Sequence, residues 1–378
     1  MPRGTLSREP RTRPWQRGRS RSWRAGHPST LDFDEFYARR DFDPSTAVEM
    51  GPLLVLTFDQ KGIVMRKEDL LDATRKIADG ESRKLQTRHC KGEPHGRKRM
   101  ATVTAVYTVQ PHDRSAEDII KGLCRIRDAK RKEGPKPELK RLWASVDQSP
   151  YDVIRAAFAE ALKRDPQSEK RWIVLIDGDR KLERWVRRAA KDFGVTVTVG
   201  LDMIHALQYL WKAGMAFHAE GTSELEKWVL ERFKRILEGK VSDVVAGMTR
   251  SATLQELTKD QRKPVDRCAL YFLRRKHMTR YDELLAIGAP VATGVVEGGC
   301  KYLINDRLDL TGARWSLLGA EAVLRIRALV ASGDFDEYWG FHETNERHRN
   351  HDIRYLNQCP PPVALPERGD RHLRVIKS

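Results

Sequence analysis

Residues 172–200, WIVLIDGDRKLERWVRRAAKDFGVTVTVG, decide how this chain is read. WIVLI is an unbroken apolar run with the length of a buried strand. LERWVRRAAKDF then repeats its apolar positions with helical period, and Gly194, tolerant of left-handed backbone, predicts where that helix stops. VTVTVG follows as a β-branched run suited to another strand. Alternation of this kind belongs to an α/β domain with helices packed on the faces of a sheet.

Three further strands precede this unit: LLVLTF (53–58), ATVTAVYTV (101–109) and LWASV (142–146). The first ends in Asp59-Gln60-Lys61-Gly62, which predicts a turn. After the third, YDVIRAAFAEALKR predicts an amphipathic helix with Ile154, Ala157, Phe158 and Leu162 on one face. The order β, β, β, α, β, α, β predicts a ribonuclease-H-like fold, an α/β mixed sheet flanked by helices. From His205 to about Ile287 the pattern is helical throughout, as in SELEKWVLERFKRILEG, where Leu225, Trp228, Val229, Ile236 and Leu237 form a stripe. This predicts an all-helical insertion that interrupts the core.

The expected organisation is therefore an Arg-rich disordered arm (1–30), a first part of the core (31–203) and the insertion (204–290). Residues 291–333 complete the core, and 334–378 form a C-terminal helix and extended tail. Two basic excursions, 67–99 and 125–141, lie within the first part. A long amphipathic helix, LLGAEAVLRIRALVASG, closes at Gly333.

The 378 residues carry a formal charge of +17, which favours a polyanionic partner through phosphate neutralisation. Five cysteines, Cys90, Cys124, Cys268, Cys300 and Cys359, never form a Cys-x-x-Cys pair, so neither a disulfide framework nor a zinc site is expected. No apolar run reaches the ~20 residues that span a bilayer, and no signal-peptide pattern follows the basic N-terminus. A cytoplasmic protein without a membrane partner is expected.

Asp59 and Asp177 each close an apolar run, and Glu297 opens the helix-like stretch VATGVVEGGCKYLIN. The first and fourth strands of a ribonuclease-H-like sheet are neighbours, and the helix after the fifth strand brings the last acid. Three such carboxylates suit two divalent ions, Mg²⁺ with Mn²⁺ able to substitute, acting on a phosphodiester. Asp202 rivals Asp59 for a place among the three, while Asp179 and Glu321 compete less directly: Asp179 is expected to be exposed, and Glu321 lacks a turn to aim it. His205 stands at a helix start, as a phosphate contact or as a packed or capping residue. Candidate DNA contacts are Arg97, Lys98, Arg99, Lys130, Arg131 and Lys132 in the excursions, with Lys301, Arg307 and Arg314 after Glu297. Trp315 is a candidate for base stacking or for the core.

GPLLVLTFDQKGIVMR, KRMATVTAVYTV, IDGD, LDMIHALQYLW and TGVVEGGCKYLINDRLDLTGARW together resemble the ISKra-type insertion-sequence transposases of bacteria, of the DDE class. The resemblance covers roughly residues 30–350. It implies Asp59, Asp177 and Glu297 as the metal-binding triad, double-stranded DNA at element ends and target as substrate, and a homo-oligomer on DNA. It also implies that Asp202-Met203-Ile204-His205 matches the Cys/Asp-x-x-His element of related transposases. Such enzymes carry a larger N-terminal DNA-binding region, whereas here an arginine-rich arm precedes the first strand. End recognition then falls to the insertion and tail, or the copy is truncated and inactive. A DNA-binding remnant without catalysis is one alternative. A haloacid-dehalogenase-like phosphohydrolase is another, disfavoured because Lys61 stands where its second acid belongs.

Overall fold

Five strands make one sheet. They are β1 (Leu53–Val64), β2 (Lys98–Val109), β3 (Glu138–Ser145), β4 (Arg171–Ile176) and β5 (Val197–Leu201), in the spatial order β3-β2-β1-β4-β5. β1, β2 and β3 pair antiparallel, whereas β4 is parallel to both β1 and β5. This order and sense are those of the ribonuclease-H-like sheet. The computed structural model describes residues 28–40, 50–80, 97–124, 134–310 and 312–352.

The helices among the described residues are α1 (Pro28–Arg39), α2 (Asp72–Asp79), α3 (Ala116–Leu123), α4 (Pro150–Arg164) and α5 (Arg180–Phe193). Between β5 and Gly294 the chain is helical: α6 (Met203–Gly214), α7 (Ser223–Leu237), α8 (Val241–Leu254), α9 (Lys259–Arg274) and α10 (Tyr281–Ala286). α11 (Gly294–Cys300) runs through a π turn at Lys301–Asn305 into Asp306–Leu308, and α12 (Leu317–Ser332) and α13 (Phe335–Arg347) follow.

Local chemistry sets these boundaries. Ser149 accepts from the Asp152 N–H and Pro150 supplies a helical φ, starting α4. Asp179 accepts from the N–H groups of Lys181 and Leu182 at the head of α5, and Gly194, at φ 68°, ends that helix. Alternation along β3 sends Arg141 to Glu160 of α4 at 2.6 Å. It sends Leu142 to the other face, where Gly299 of α11 leaves room for it: a Cβ at 299 would lie 2.6 Å from Leu142 Cδ1. Helices thus cover both faces. Leu54, Leu56, Phe58, Ile173 and Leu175 are fully buried between them, worth about 1.5–3 kcal/mol each.

Four local expectations need correction. β1 does not turn at Asp59 to Gly62 but continues to Val64, because its partner β2 is longer than β4 and pairs with it through Val64↔Lys98. Gly62 instead gives Lys98 room, since a Cβ there would lie 2.8 Å from Lys98 Cδ. β3 starts at Glu138, inside the second basic excursion, where Arg141 is neutralised by Glu160 and stacks on Tyr37 at 3.5 Å. The first excursion contains α2, and Lys98 and Arg99 already belong to β2. α1 begins at Pro28, within the stretch read as the arm. Most of that arm, the centres of both excursions with Lys130, Arg131 and Lys132, and the tail after Asp352 lie outside the described residues.

Candidate metal centre

The parallel ladder between β1 and β4 ends at Phe58↔Ile176. Asp59 is the next residue along β1, and Asp177 is the first residue after β4. Adjacent strands run ~4.8 Å apart and neighbouring registered residues face the same side. Here the ladder forks: β1 continues with β2 to Val64, while β4 ends at Ile176. The electrostatics agree with this adjacency. Burial first, and then the charge of Asp59, push the Asp177 carboxyl above its ordinary range, with the Asp179 N–H partly offsetting them.

The Asp177 turn is closely supported. Its Oδ1 accepts from the Asp179 N–H at 2.8 Å. Its backbone carbonyl accepts from the Tyr271 hydroxyl at 3.1 Å, and the Gly178 carbonyl accepts from Arg275 Nε at 2.7 Å. Gly178 is left-handed, at φ 88°, and a Cβ there would meet Arg275 Nε at 2.6 Å and Leu201 Cδ1 at 2.7 Å. Both the conformation and the space therefore require glycine.

Asp59 is half-buried. One oxygen accepts from the Gln60 N–H at 2.7 Å, and the other from the Cys300 thiol at 3.1 Å. Burial, then the Asp59 charge and hydrogen bond, raise the Cys300 thiol well above its ordinary value, and Glu297 contributes in the same direction. Cys300 is thus a neutral donor. Glu297 lies three residues before it on α11, one turn away on the same helix face, and is exposed. The thiol marks where the helix meets the acid on β1.

Asp202 caps α6, accepting from the N–H groups of Ile204 and His205, while Thr293 N–H reaches it from before α11 at 2.9 Å. His205 Nδ1 lies 2.7 Å from its Oδ2. Burial alone would raise the Asp202 carboxyl; the His205 ring and the Thr293 N–H outweigh it and hold it below the ordinary range. His205 moves the other way, raised chiefly by its hydrogen bond to Asp202 and further by the charges of Asp202, Asp177 and Asp59, against burial. Asp202 is inaccessible and occupied by four donors, which suits a cap and a histidine support better than a metal ligand.

The remaining residues take structural places. Asp179 caps α5 and is exposed, as expected. Glu321 is buried and accepts from Ser145 Oγ at 3.1 Å and the Val146 N–H at 3.0 Å, closing the end of β3. Lys98 pairs with Asp309 at 2.8 Å, and Arg99 reaches Asp147 at 3.8 Å. The Arg97 carbonyl accepts from Met65 N–H. Lys301, Arg307 and Arg314 are exposed, with the Arg307 guanidinium 5.1 Å from the Trp315 ring centre. Trp315 bridges to Met65 beyond β1 and is half-buried. Cys300, Thr293, Tyr271 and Arg275 were not singled out from the sequence. A helical-face reading from Glu297 would reach Cys300; nothing local ties position 271 to position 177.

The donor chemistry suits a hard divalent cation: Asp59 and Asp177 are carboxylates close enough for the charge of one to raise the other, and among the described residues no Lys or Arg forms an ion pair with Asp59, Asp177 or Glu297. The three do not form a set with ligand atoms all within 4.8 Å. Among the described residues the one set so close is Asp32, His342 and Glu346. There Arg349 already engages both Asp32 oxygens at 2.7 Å, so the protein supplies the compensating cation itself.

No protein-family model matches the chain, and comparison with curated proteins finds no match. Among solved structures it is similar to the Drosophila P element transposase strand transfer complex, at 8% identity over 84% of this chain and 74% of that one, with a TM-score of 0.24. That likeness is too slight to bear on the fold assignment, which rests on strand order and sense. No helix among the described residues is long and apolar enough to cross a membrane.

Proposed function

We propose that this chain is a DNA transposase of the DDE kind, related to the ISKra-type insertion-sequence enzymes, acting as a homo-oligomer on element ends and target DNA. The observation that carries the reading is the fork after Phe58↔Ile176, beside which Asp59 raises the Asp177 carboxyl and, among the described residues, neither acid forms an ion pair with Lys or Arg. The strong positive charge and the resemblance in GPLLVLTFDQKGIVMR and TGVVEGGCKYLIN support it.

In this reading Asp59, Asp177 and Glu297 hold two Mg²⁺ or Mn²⁺ ions, which when bound activate the attacking oxygen and neutralise the leaving one. Asp59 and Asp177 contribute carboxylates from a rigid sheet edge. Glu297 contributes from the mouth of the site, on a helix held to β1 through Cys300. Asp202 holds the His205 ring through Nδ1, and the ring contacts the scissile phosphate or the flanking DNA. Lys301, Arg307 and Arg314 grip flanking phosphates. Residues 204–290 form a helical insertion domain between the two parts of the core.

The test is nicking of supercoiled plasmid by the purified chain with Mg²⁺ or Mn²⁺. Wild type should nick, and Asp177→Asn should lose nicking while keeping salt-sensitive DNA binding. Binding without metal-dependent nicking in wild type would favour the catalytically silent remnant instead.

A further inference from the structure

We propose that Tyr271 and Arg275 are positioning residues for the metal centre: they hold the Asp177 turn in its ligating shape, so that the helical segment after β5 sets the cation affinity of the sheet edge. This rests on the reading of Asp59 and Asp177 as metal ligands.

The two residues stand four apart, the first within α9 and the second at its end, so both project from one helix face. From that face they donate to successive carbonyls, Tyr271 to Asp177 and Arg275 to Gly178. Those carbonyls fix the orientation of the two peptide planes that flank Gly178. Glycine alone would leave this turn many conformations, and Gly178 cannot be exchanged for a stiffer residue because no Cβ fits. The donors therefore supply the rigidity that the sequence at the turn cannot. They are themselves held: the Tyr271 ring stacks on Tyr209 of α6 at 3.7 Å and 12°, and the Arg275 guanidinium lies 4.2 Å from the Tyr271 ring centre. Tyr271 is buried, so its hydroxyl stays protonated and available as a donor.

A carboxylate held in place before a cation arrives binds it more tightly than one that must be ordered first. The expected change is in cation affinity, independently of turnover. Mn²⁺ alone is titrated into the full chain, with free Mn²⁺ followed by electron paramagnetic resonance and folding by thermal unfolding. Tyr271→Phe keeps the ring stack and removes one hydroxyl; Arg275→Lys keeps the charge and removes the Nε donor. Each should weaken Mn²⁺ binding about five- to tenfold with an unfolding midpoint close to wild type, the net worth of roughly one hydrogen bond. Asp177→Asn should bind no Mn²⁺ at this site. Should Tyr271→Phe and Arg275→Lys fold and bind Mn²⁺ as wild type does, the positioning role is overturned while the metal centre stands. Failure of wild type to bind Mn²⁺ overturns both.

Discussion

Asp32 and Asp177 are both carboxylates withdrawn from water, yet the chain surrounds them in opposite ways. Around Asp32 it gathers Arg349, bidentate at 2.7 Å, and His342 at 2.6 Å, and these donors, Arg349 first, hold the carboxyl below its ordinary range. Around Asp177 it gathers backbone supports and a second carboxylate, and the carboxyl rises. The first arrangement is complete as it stands and ties α1 to α13 and the turn after it. The second is electrostatically unfinished. Geometry alone would favour Asp32 as the ligand cluster, since its neighbours are closer; charge balance reverses that choice.

The largest expected effect tests the unfinished site. Asp177→Asn should reduce Mn²⁺ affinity and plasmid nicking by more than about 100-fold, beyond what is typical for supporting residues, while Asp32→Asn leaves Mn²⁺ affinity unchanged. Next, Mn²⁺ at a hundredfold excess over its dissociation constant should stabilise wild type by about 2.7 kcal/mol in thermal unfolding, and Asp177→Asn by nothing. Equal stabilisation of both proteins would mean that the cation does not bind at Asp177. Without metal the order reverses: Asp32→Asn should cost roughly 1–2 kcal/mol, allowing for the partial exposure of Arg349, and Asp177→Asn should be neutral or stabilising.

The two sites should also respond to pH with opposite signs. Asp32 is lowered on folding, so its contribution is present above the ordinary carboxyl range and is lost as pH falls through the depressed value. Asp177 is raised, so the folded state holds its proton longer, and stability falls as pH climbs from the ordinary range through the raised value. Unfolding midpoints of wild type, Asp32→Asn and Asp177→Asn from pH 3 to 7, at approximately constant ionic strength, should show these slopes vanish one at a time. The smallest effect concerns His205, raised by Asp202: its contribution is full below about pH 6.5 and is lost as pH rises through the raised value. His205→Gln should cost under about 1 kcal/mol at pH 5, because the ring is 38% exposed and solvent screens the pair.

The sheet was legible because each strand announces itself locally. LLVLTF, ATVTAVYTV and WIVLI are apolar or β-branched runs, and their order leaves few ways to arrange them. β1 was misjudged at Gly62 because the strand's length there is set by pairing with Lys98 and its neighbours, thirty-odd residues away, and not by its own turn chemistry. Arg141 falls in the basic excursion 125–141 by sequence because its neutralising partner, Glu160, sits on another element. The Asp177 turn shows the same limit: an acid after an apolar run and a glycine beside it are visible in IDGD, but the supports at Tyr271 and Arg275 arrive from 94 and 97 residues on. Periodicity reports what a segment does with itself, whereas clamps and buttresses are bargains between distant segments.

The fork between β1 and β4 imposes a rule of parity. Side chains alternate along a strand, so one residue added to or removed from β1 between Leu53 and Asp59 would carry the acid to the opposite face, away from Cys300 and α11. Surface excursions can lengthen or shorten by odd or even steps without that consequence, whereas α9 must keep Tyr271 and Arg275 on one face to reach the Asp177 turn. The strand tolerates only even steps, and that restriction is where the architecture is least free to drift.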